Sequence, residues 1–359
     1  MSTANGPWII GLIANLSYLV VLASLATLGF ALLCIIIARI RRALVGTQKI
    51  GIWKGRPNRV GTVLWCLVLL AAGAWAALPV APMIKNSVVT PFGQSLGRNH
   101  PPTSSSSSAS AGNPSATGRR ESVRLLLCNL GDRYEALTPL WEAAQRERAD
   151  VILLAEVNPP VASAFVSRPE VEDEYPFAEV VRREMSWHMA VLSRWPLRPI
   201  QFNQTDFEHF KHLFAYRRSL YVDLPSGSRF LLAGIHAPSP RSAETWAMGN
   251  ETVSLLIQCT LQYLLPTGFP VIVAGDFNST PSGYRYRAMK QESDLHSADD
   301  VARLSGTWPA GLPIGPLRLM LDHVWGSNDV RFESCRVLED IGSDHRPILV
   351  GFTIPANPH

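Results

Sequence analysis

Residues 121–359 are predicted to fold as one α+β domain with two packed sheets, behind an N-terminal membrane module with two transmembrane helices. Three observations predict this arrangement. Short apolar runs typical of strands alternate with segments of helical periodicity after position 121. Two long uncharged apolar stretches occupy the first 85 residues, and a Ser-, Pro- and Gly-rich segment joins them to the domain.

The domain elements follow from periodicity. Two segments place apolar residues at helical spacing, 134–148 and 242–264. Eight apolar runs read as strands: 123–128, 151–155, 189–193, 220–223, 230–235, 271–274, 322–325 and 348–352.

The membrane module, 1–85, is predicted to cross a bilayer twice, at about 8–38 and 60–84, because both stretches lack charge over a spanning length. A cleaved signal peptide does not fit the first stretch, since no basic residue precedes it and the apolar run is too long. The loop 39–59 holds seven basic residues and no acidic one. By the positive-inside rule this loop is cytoplasmic, which puts the C-terminal domain on the extracytoplasmic side of a bacterial inner or plasma membrane.

The segment 86–120 is predicted to be a flexible linker, since it lacks apolar runs long enough to offset the entropy of ordering. Charge also divides the chain at this point. All 29 acidic residues follow position 120, but only 22 of the 33 Lys and Arg residues do, so the domain carries a net charge of −7. An acidic domain disfavours a nuclease, because phosphate contacts from a basic face supply much of the affinity for nucleic acid.

Polar residues end or interrupt four of the apolar runs. Asn129, Glu156 and His236 each end a run, and Asp322 lies within a fourth. A buried strand favours apolar residues, and a charge at its end is costly unless it is paired or bound to a metal. The pattern therefore indicates a functional site at the strand ends.

Two short motifs add further candidates. In Gly-Asp276-Phe-Asn278 the two polar side chains are two residues apart, so an extended segment would present both on one face. Asp276 can orient or accept a proton from a water molecule, and Asn278 can donate to a phosphate oxygen. The alternative is an ordinary Asx turn that caps a strand. The second motif, Gly-Ser-Asp344-His345-Arg-Pro, supplies a carboxylate beside an imidazole.

Taken together, these residues and their order resemble the endonuclease/exonuclease/phosphatase superfamily, of DNase I-like fold, as a membrane-anchored bacterial-type member. The resemblance covers about 121–355 and includes the segments around Met189, Gly306 and Leu321. Ala155 departs from the pattern, since many members carry Gln there. The resemblance implies a four-layer αββα sandwich. It also implies that Asp322 orients His345 at the scissile phosphate and that His236 donates to a phosphate oxygen.

Magnesium is the predicted cofactor, with manganese as the alternative. Mg²⁺ favours one or two carboxylates together with water and phosphate oxygens. Glu156 is the best candidate ligand, and Asn129 and Asp344 could complete the shell directly or through water. The alternative for Glu156 is a solvated strand end paired with an arginine.

The leading hypothesis is a membrane-tethered, metal-dependent phosphoesterase whose partners are the bilayer and a phosphorylated, lipid-linked substrate such as an isoprenoid pyrophosphate. An extracytoplasmic nuclease acting on DNA or RNA is the second hypothesis, less favoured by charge. A non-catalytic binding domain is the third. No protein partner is indicated by the sequence.

Overall fold

The computed structural model describes residues 27–30, 32–33, 35–36 and 119–356, except for 181–187, 203–216, 302–304 and 314–316. Residues 27–30, 32–33 and 35–36 are helical and belong to a different compact unit from 119–356. The fold described below is that of 119–356.

Sheet A has six strands in the order β11-β12-β1-β2-β4-β3. β1 lies at its centre, parallel to β2 and antiparallel to β12. The strands of sheet A are β1 (Arg120–Asn129), β2 (Val151–Ala155), β3 (Phe177–Val180), β4 (Met189–Ser193), β11 (Arg331–Val337) and β12 (Ile348–Pro355).

Sheet B also has six strands, in the order β5-β6-β7-β8-β10-β9. Its centre is the parallel pair β7 and β8, with β10 antiparallel to β8. The strands of sheet B are β5 (Leu197–Pro199), β6 (Arg217–Asp223), β7 (Arg229–His236), β8 (Val271–Asp276), β9 (His296–Ser297) and β10 (Asp322–Gly326).

Five α-helices occur in the described part of the domain: α1 (Leu137–Glu147), α2 (Pro159–Val166), α3 (Pro169–Glu174), α4 (Ala243–Cys259) and α5 (Tyr284–Glu292). Ser242 caps α4 by accepting from the Thr245 N–H, while the Thr245 hydroxyl accepts from the Ser242 N–H. A single π-helical stretch, Thr260–Leu264, then continues α4.

Three apolar clusters in the described part of the domain hold the sheets and helices together. Successive side chains of a strand point to opposite faces of the sheet, so neighbouring residues join different clusters. In β1, Leu125 and Leu127 face the cluster between the sheets, where Leu232 and Ile272 of sheet B meet them. The intervening Leu126 packs outward among residues of α1 to α3. A third cluster packs α4 and α5 on the outer face of sheet B. Helices therefore cover both outer faces of two central sheets, consistent with the expected sandwich.

The N-terminal predictions are largely outside the described residues. Of the predicted spans, only 27–30, 32–33 and 35–36 are described. Within the described part of the chain, no helix has the length and apolar character needed to cross a membrane. The predicted linker is described only at Arg119 and Arg120. Its end is corrected, because Arg120 already begins β1 and pairs with Pro355 of β12.

Candidate active site

Sheet B aligns three predicted site residues in one row across three strands. In the parallel pair, His236 of β7 is in register with Asp276 of β8. In the antiparallel pair, Asp276 is in register with Asp322 of β10. All three are 1% exposed, so backbone pairing gathers two carboxylates and an imidazole in a buried row.

Sheet A supplies two more residues at the ends of its parallel strands. Asn129 is the last residue of β1, and Glu156 directly follows β2. Glu156 adopts a left-handed backbone with φ of 49°. This conformation is unfavourable for residues with a Cβ, and functional sites are where such strain is concentrated.

The Asn129 side chain connects the two sheets. Its Nδ2 donates to Glu156 Oε1 at 3.0 Å and to Asp276 Oδ2 at 3.0 Å, while its Oδ1 accepts from the Gly131 N–H at 3.0 Å. Asn129 therefore aligns the carboxylates of Glu156 and Asp276 with one amide group.

Asp276 is the centre of the arrangement. Its Oδ1 accepts from the Asn278 N–H at 2.7 Å, and its Oδ2 lies 3.8 Å from Nε2 of both His236 and His345. Burial and then the charge of Asp322 raise the pKa of Asp276 above its ordinary value, while the charges of His345 and His236 act in the opposite direction. Asp276 is thus a carboxylate with two imidazoles aimed at one oxygen.

His345 is held by Asp322, whose Oδ2 lies 2.8 Å from His345 Nδ1. Burial alone would lower the pKa of His345. The charge and hydrogen bond of Asp322, followed by the charges of Asp276 and Asp344, instead raise it to about 10. The imidazole is consequently protonated at neutral pH, with Nε2 as a donor facing Asp276.

Glu156 has the opposite electrostatic setting. Burial would raise its pKa, but the hydrogen bond and charge of His236 and the hydrogen bond from Asn129 lower it to about 2. His236 Nε2 lies 3.1 Å from Glu156 Oε1. Glu156 therefore stays ionised, as a metal-binding carboxylate must.

Asn278 differs from its predicted role in two respects. It has a left-handed backbone with φ of 48°, so the segment is a turn and not an extended strand. Its Nδ2 donates to Ala237 O at 2.9 Å and to Asp276 Oδ2 at 3.3 Å. Both amide hydrogens thereby have partners within the protein, whereas the predicted role is donation to a phosphate oxygen, and that role stays a prediction.

The residues present fit a divalent cation. The ligand atoms of Glu156, His236 and Asp276 lie within 4.8 Å of one another, and so do those of Asp276, Asp322 and His345. Asp322 Oδ1 and Asp344 Oδ1 are buried without a hydrogen-bond partner in the described part of the protein. Buried anionic oxygens of this kind are costly unless a cation meets them. Asp344 falls outside both three-residue groups, and its carboxylate lies against Gly131, where a Cβ would collide with it.

Three further residues surround this site and were not assigned a role by the motifs. Ser343 donates through Oγ to Asn129 O at 2.7 Å and accepts from the His345 N–H at 3.2 Å, so its hydroxyl links β1 to the segment that carries His345. His323 and Arg285 lie behind the site, 0% and 2% exposed. His323 follows Asp322 in β10 and therefore points to the opposite face of the sheet. One feature of α5 could have pointed to a role for Arg285. It is a charged residue close to Tyr286, Ala288 and Met289, which are buried.

A two-sheet sandwich with carboxylates and histidines at its central strand ends suits metal-assisted hydrolysis of phosphoesters. The sequence model of the endonuclease/exonuclease/phosphatase family matches residues 128–345. The chain therefore belongs to this family, whose members are hydrolases acting on phosphoester bonds and are typically dependent on a divalent metal. No curated protein matches the chain.

Solved structures agree with this fold. A family member from Bacteroides thetaiotaomicron is 16% identical, with a TM-score of 0.51 over 66% of this chain and 99% of its own. The mannosyl-6-phosphatase of the same species is 15% identical, with a TM-score of 0.50 over 64% and 99%. Humanised TDP2 of D. rerio is also 15% identical, with a TM-score of 0.50 over 64% and 98%. At these identities the similarity establishes the fold alone.

Proposed function

We propose that this chain is a Mg²⁺-dependent phosphoesterase with Asp276, His236 and His345 at its catalytic centre. One observation carries the proposal: Asp276 Oδ2 lies 3.8 Å from both His236 Nε2 and His345 Nε2, and Asp322 holds His345 from behind. Two imidazole donors around one buried carboxylate suit a reaction in which charge develops on phosphate oxygens.

In the proposed mechanism His345 acts as a charged donor and not as the base. Its pKa of about 10 keeps Nε2 protonated at neutral pH, so it can donate to an oxygen of the scissile phosphate. His236 donates to a second phosphate oxygen. Asp276 orients the attacking water and accepts its proton, a role that suits a carboxylate whose pKa is raised by burial.

Glu156 is the residue we propose to hold the metal, with Asp344 and Asn129 completing the shell directly or through water. Its pKa of about 2 supports this role, because a ligand must be ionised. A bound Mg²⁺, or Mn²⁺ in its place, would neutralise phosphate charge and lower the pKa of a water molecule.

We further propose that the domain is tethered to a membrane and faces outward, and that its substrate is a lipid-linked phosphate or pyrophosphate. The two uncharged stretches at 8–38 and 60–84 and the basic loop between them support this topology. The net charge of −7 after position 120 supports a lipid-linked substrate over nucleic acid.

Hydrolysis by the purified full-length protein in detergent tests the activity. A polyprenyl pyrophosphate and a supercoiled plasmid would be incubated in parallel, each with Mg²⁺ and with a chelator, and with His345→Ala as the inactive control. Metal-dependent phosphate release with intact plasmid is the expected result. Nicked plasmid with untouched lipid would replace the lipid substrate by nucleic acid.

The topology has its own test. A reporter that is active only outside the cytoplasm would be fused after His359. Activity is expected, whereas a silent fusion together with a cytoplasm-active one would overturn the extracytoplasmic placement.

A further inference from the structure

The turn that carries Asn278 is held by buried side chains of two neighbouring elements. Asn278 has a left-handed φ of 48°, which favours glycine. Its own N–H is bound to Asp276 Oδ1 and its Nδ2 to Ala237 O, so the turn connects the catalytic carboxylate to the loop after β7.

Arg285 is the first of two side chains that hold this turn. This arginine of α5 is 2% exposed, and burial lowers its pKa to about 10. Nη1 donates to Phe277 O at 2.9 Å and to Pro238 O at 2.8 Å, and Nε donates to Asn250 Oδ1 at 3.1 Å. In the described part of the chain no carboxylate is among its hydrogen-bond partners. Its buried charge is therefore stabilised by carbonyl oxygens.

Two of the carbonyls that Arg285 binds, those of Phe277 and Pro238, belong to the two catalytic loops. Phe277 separates Asp276 from Asn278, and Pro238 follows His236 by two residues. One guanidinium nitrogen, Nη1, thus ties the end of β7 to the end of β8, while Nε of the same planar group is fixed by Asn250 Oδ1. Helix α4 leaves room for it at Gly249, where a Cβ would collide with the guanidinium.

His323, on β10, is the second side chain that holds this turn. It is 0% exposed, with Nε2 2.7 Å from Ser279 O and Nδ1 2.6 Å from Asp299 Oδ2. Ser279 and Phe277 flank Asn278, so two buried side chains hold the carbonyls on either side of Asn278.

We propose that Arg285 and His323 are positioning residues of the active site. They hold the Phe277 and Ser279 carbonyls, and Arg285 also holds Pro238, so that Asn278, Asp276 and His236 keep their mutual geometry. The catalytic part of this inference rests on the proposed function, whereas the mechanical part does not.

Hydrogen–deuterium exchange of the full-length protein tests the mechanical part without any substrate. The variants are Arg285→Lys, Arg285→Met and His323→Gln, with Arg287→Met as the matched control, because Arg287 is an exposed arginine of the same helix. Arg285→Met is expected to accelerate exchange on the order of tenfold in both loops, 236–241 and 277–283. His323→Gln is expected to affect 277–283 alone, and Arg287→Met neither.

Two exchange results would overturn the proposal. One is unchanged exchange in both loops of Arg285→Met. The other is acceleration spread evenly over β1 and β12 as well, which would indicate loss of global stability instead of loosened loops. Gly249→Ala gives a milder variant in which Arg285 is kept but displaced, and it should loosen the same two loops.

Kinetics test the catalytic part, with bis(p-nitrophenyl) phosphate and polyprenyl pyrophosphate as probes at saturating Mg²⁺. Arg285→Lys is expected to lower kcat on the order of tenfold with KM within about twofold, and Arg285→Met on the order of 100-fold. Loosened loops with an unchanged kcat would refute the positioning role. A wild type inactive on both probes would refute the proposed function. The exchange data would still decide whether Arg285 and His323 hold the two loops.

Discussion

Sheet A brings the buried Asn129 and the partly exposed Glu156 to the site, whereas sheet B brings His236, Asp276 and Asp322 from a buried row. The consequence is opposite for the two carboxylates at the centre. The pKa of Glu156 is lowered to about 2 by His236 and Asn129 despite its burial, while burial and Asp322 raise the pKa of Asp276. In the mechanism proposed above, sheet A would therefore supply the metal-binding carboxylate and sheet B the proton acceptor.

The largest effect should come from removing either the carboxylate at the centre of the sheet B row or the imidazole of His345 that faces it. Asp276→Asn preserves shape but removes the proton acceptor, and His345→Ala removes the donor. Each should lower kcat/KM by about 10³-fold or more while circular dichroism reports a folded domain. Retained activity in both variants would show that the row is structural.

Asp322→Asn should have the next largest effect. It removes the charge that holds and protonates His345, so kcat should fall on the order of 10²–10⁴-fold. The alkaline limb of the pH profile should also move down from about 10. An unaltered limb alongside a reduced kcat would mean that Asp322 positions His345 without setting its charge.

Glu156→Gln should distinguish the role of sheet A from that of sheet B. We expect the Mg²⁺ concentration for half-maximal activity to rise on the order of tenfold or more, because a charged ligand is replaced by a neutral one. Activity measured across a Mg²⁺ titration checks this, with Glu142→Gln, an exposed glutamate of α1, as control. If Asp276→Asn shifted the metal requirement and Glu156→Gln did not, the assignment of roles would have to be reversed.

The smallest effects should appear in the pH dependence of stability. The folded pKa of His345, about 10, lies above its ordinary 6.5. Its contribution is therefore complete below pH 6.5 and is lost as pH rises through 10. The folded pKa of Glu156, about 2, lies below its ordinary 4.5. Its contribution is present above pH 4.5 and is lost as pH falls through 2.

Thermal melts of the wild type and of Glu156→Gln and His345→Gln, over pH 3 to 10, would check these signs. The difference from wild type should shrink at the acid end for Glu156→Gln and at the alkaline end for His345→Gln. The reverse order would contradict the proposed electrostatics.

The strands predicted from the sequence differ from the missed strands in their position within the sheets. The eight predicted strands correspond to β1, β2, β4, β6, β7, β8, β10 and β12, which are the interior strands of the two described sheets. The four that were missed, β3, β5, β9 and β11, are the four edges. Interior strands are buried on both faces and read as apolar runs, whereas β11 alternates irregularly between exposed and buried positions.

The helices show the same limit. α1 and α4 are amphipathic and long enough to reveal their period, and their ends lie close to those predicted. α2 and α3 have 8 and 6 residues, too few for a periodic signal. α5 carries Arg285 among its buried residues, which hides its apolar face.

The amino-acid sequence by itself determined the candidate site residues and the strands that carry them, because polar residues after apolar runs are conspicuous and each strand's apolar pattern is local. Only the tertiary structure decided how those residues are related. Strand order places His236, Asp276 and Asp322 in one row, and the apposition of the sheets lets Asn129 reach Asp276. Arg285 and His323 show the reason most plainly: whether a charged side chain is solvated or buried against a particular carbonyl depends on contacts between elements distant along the chain, which no local pattern records.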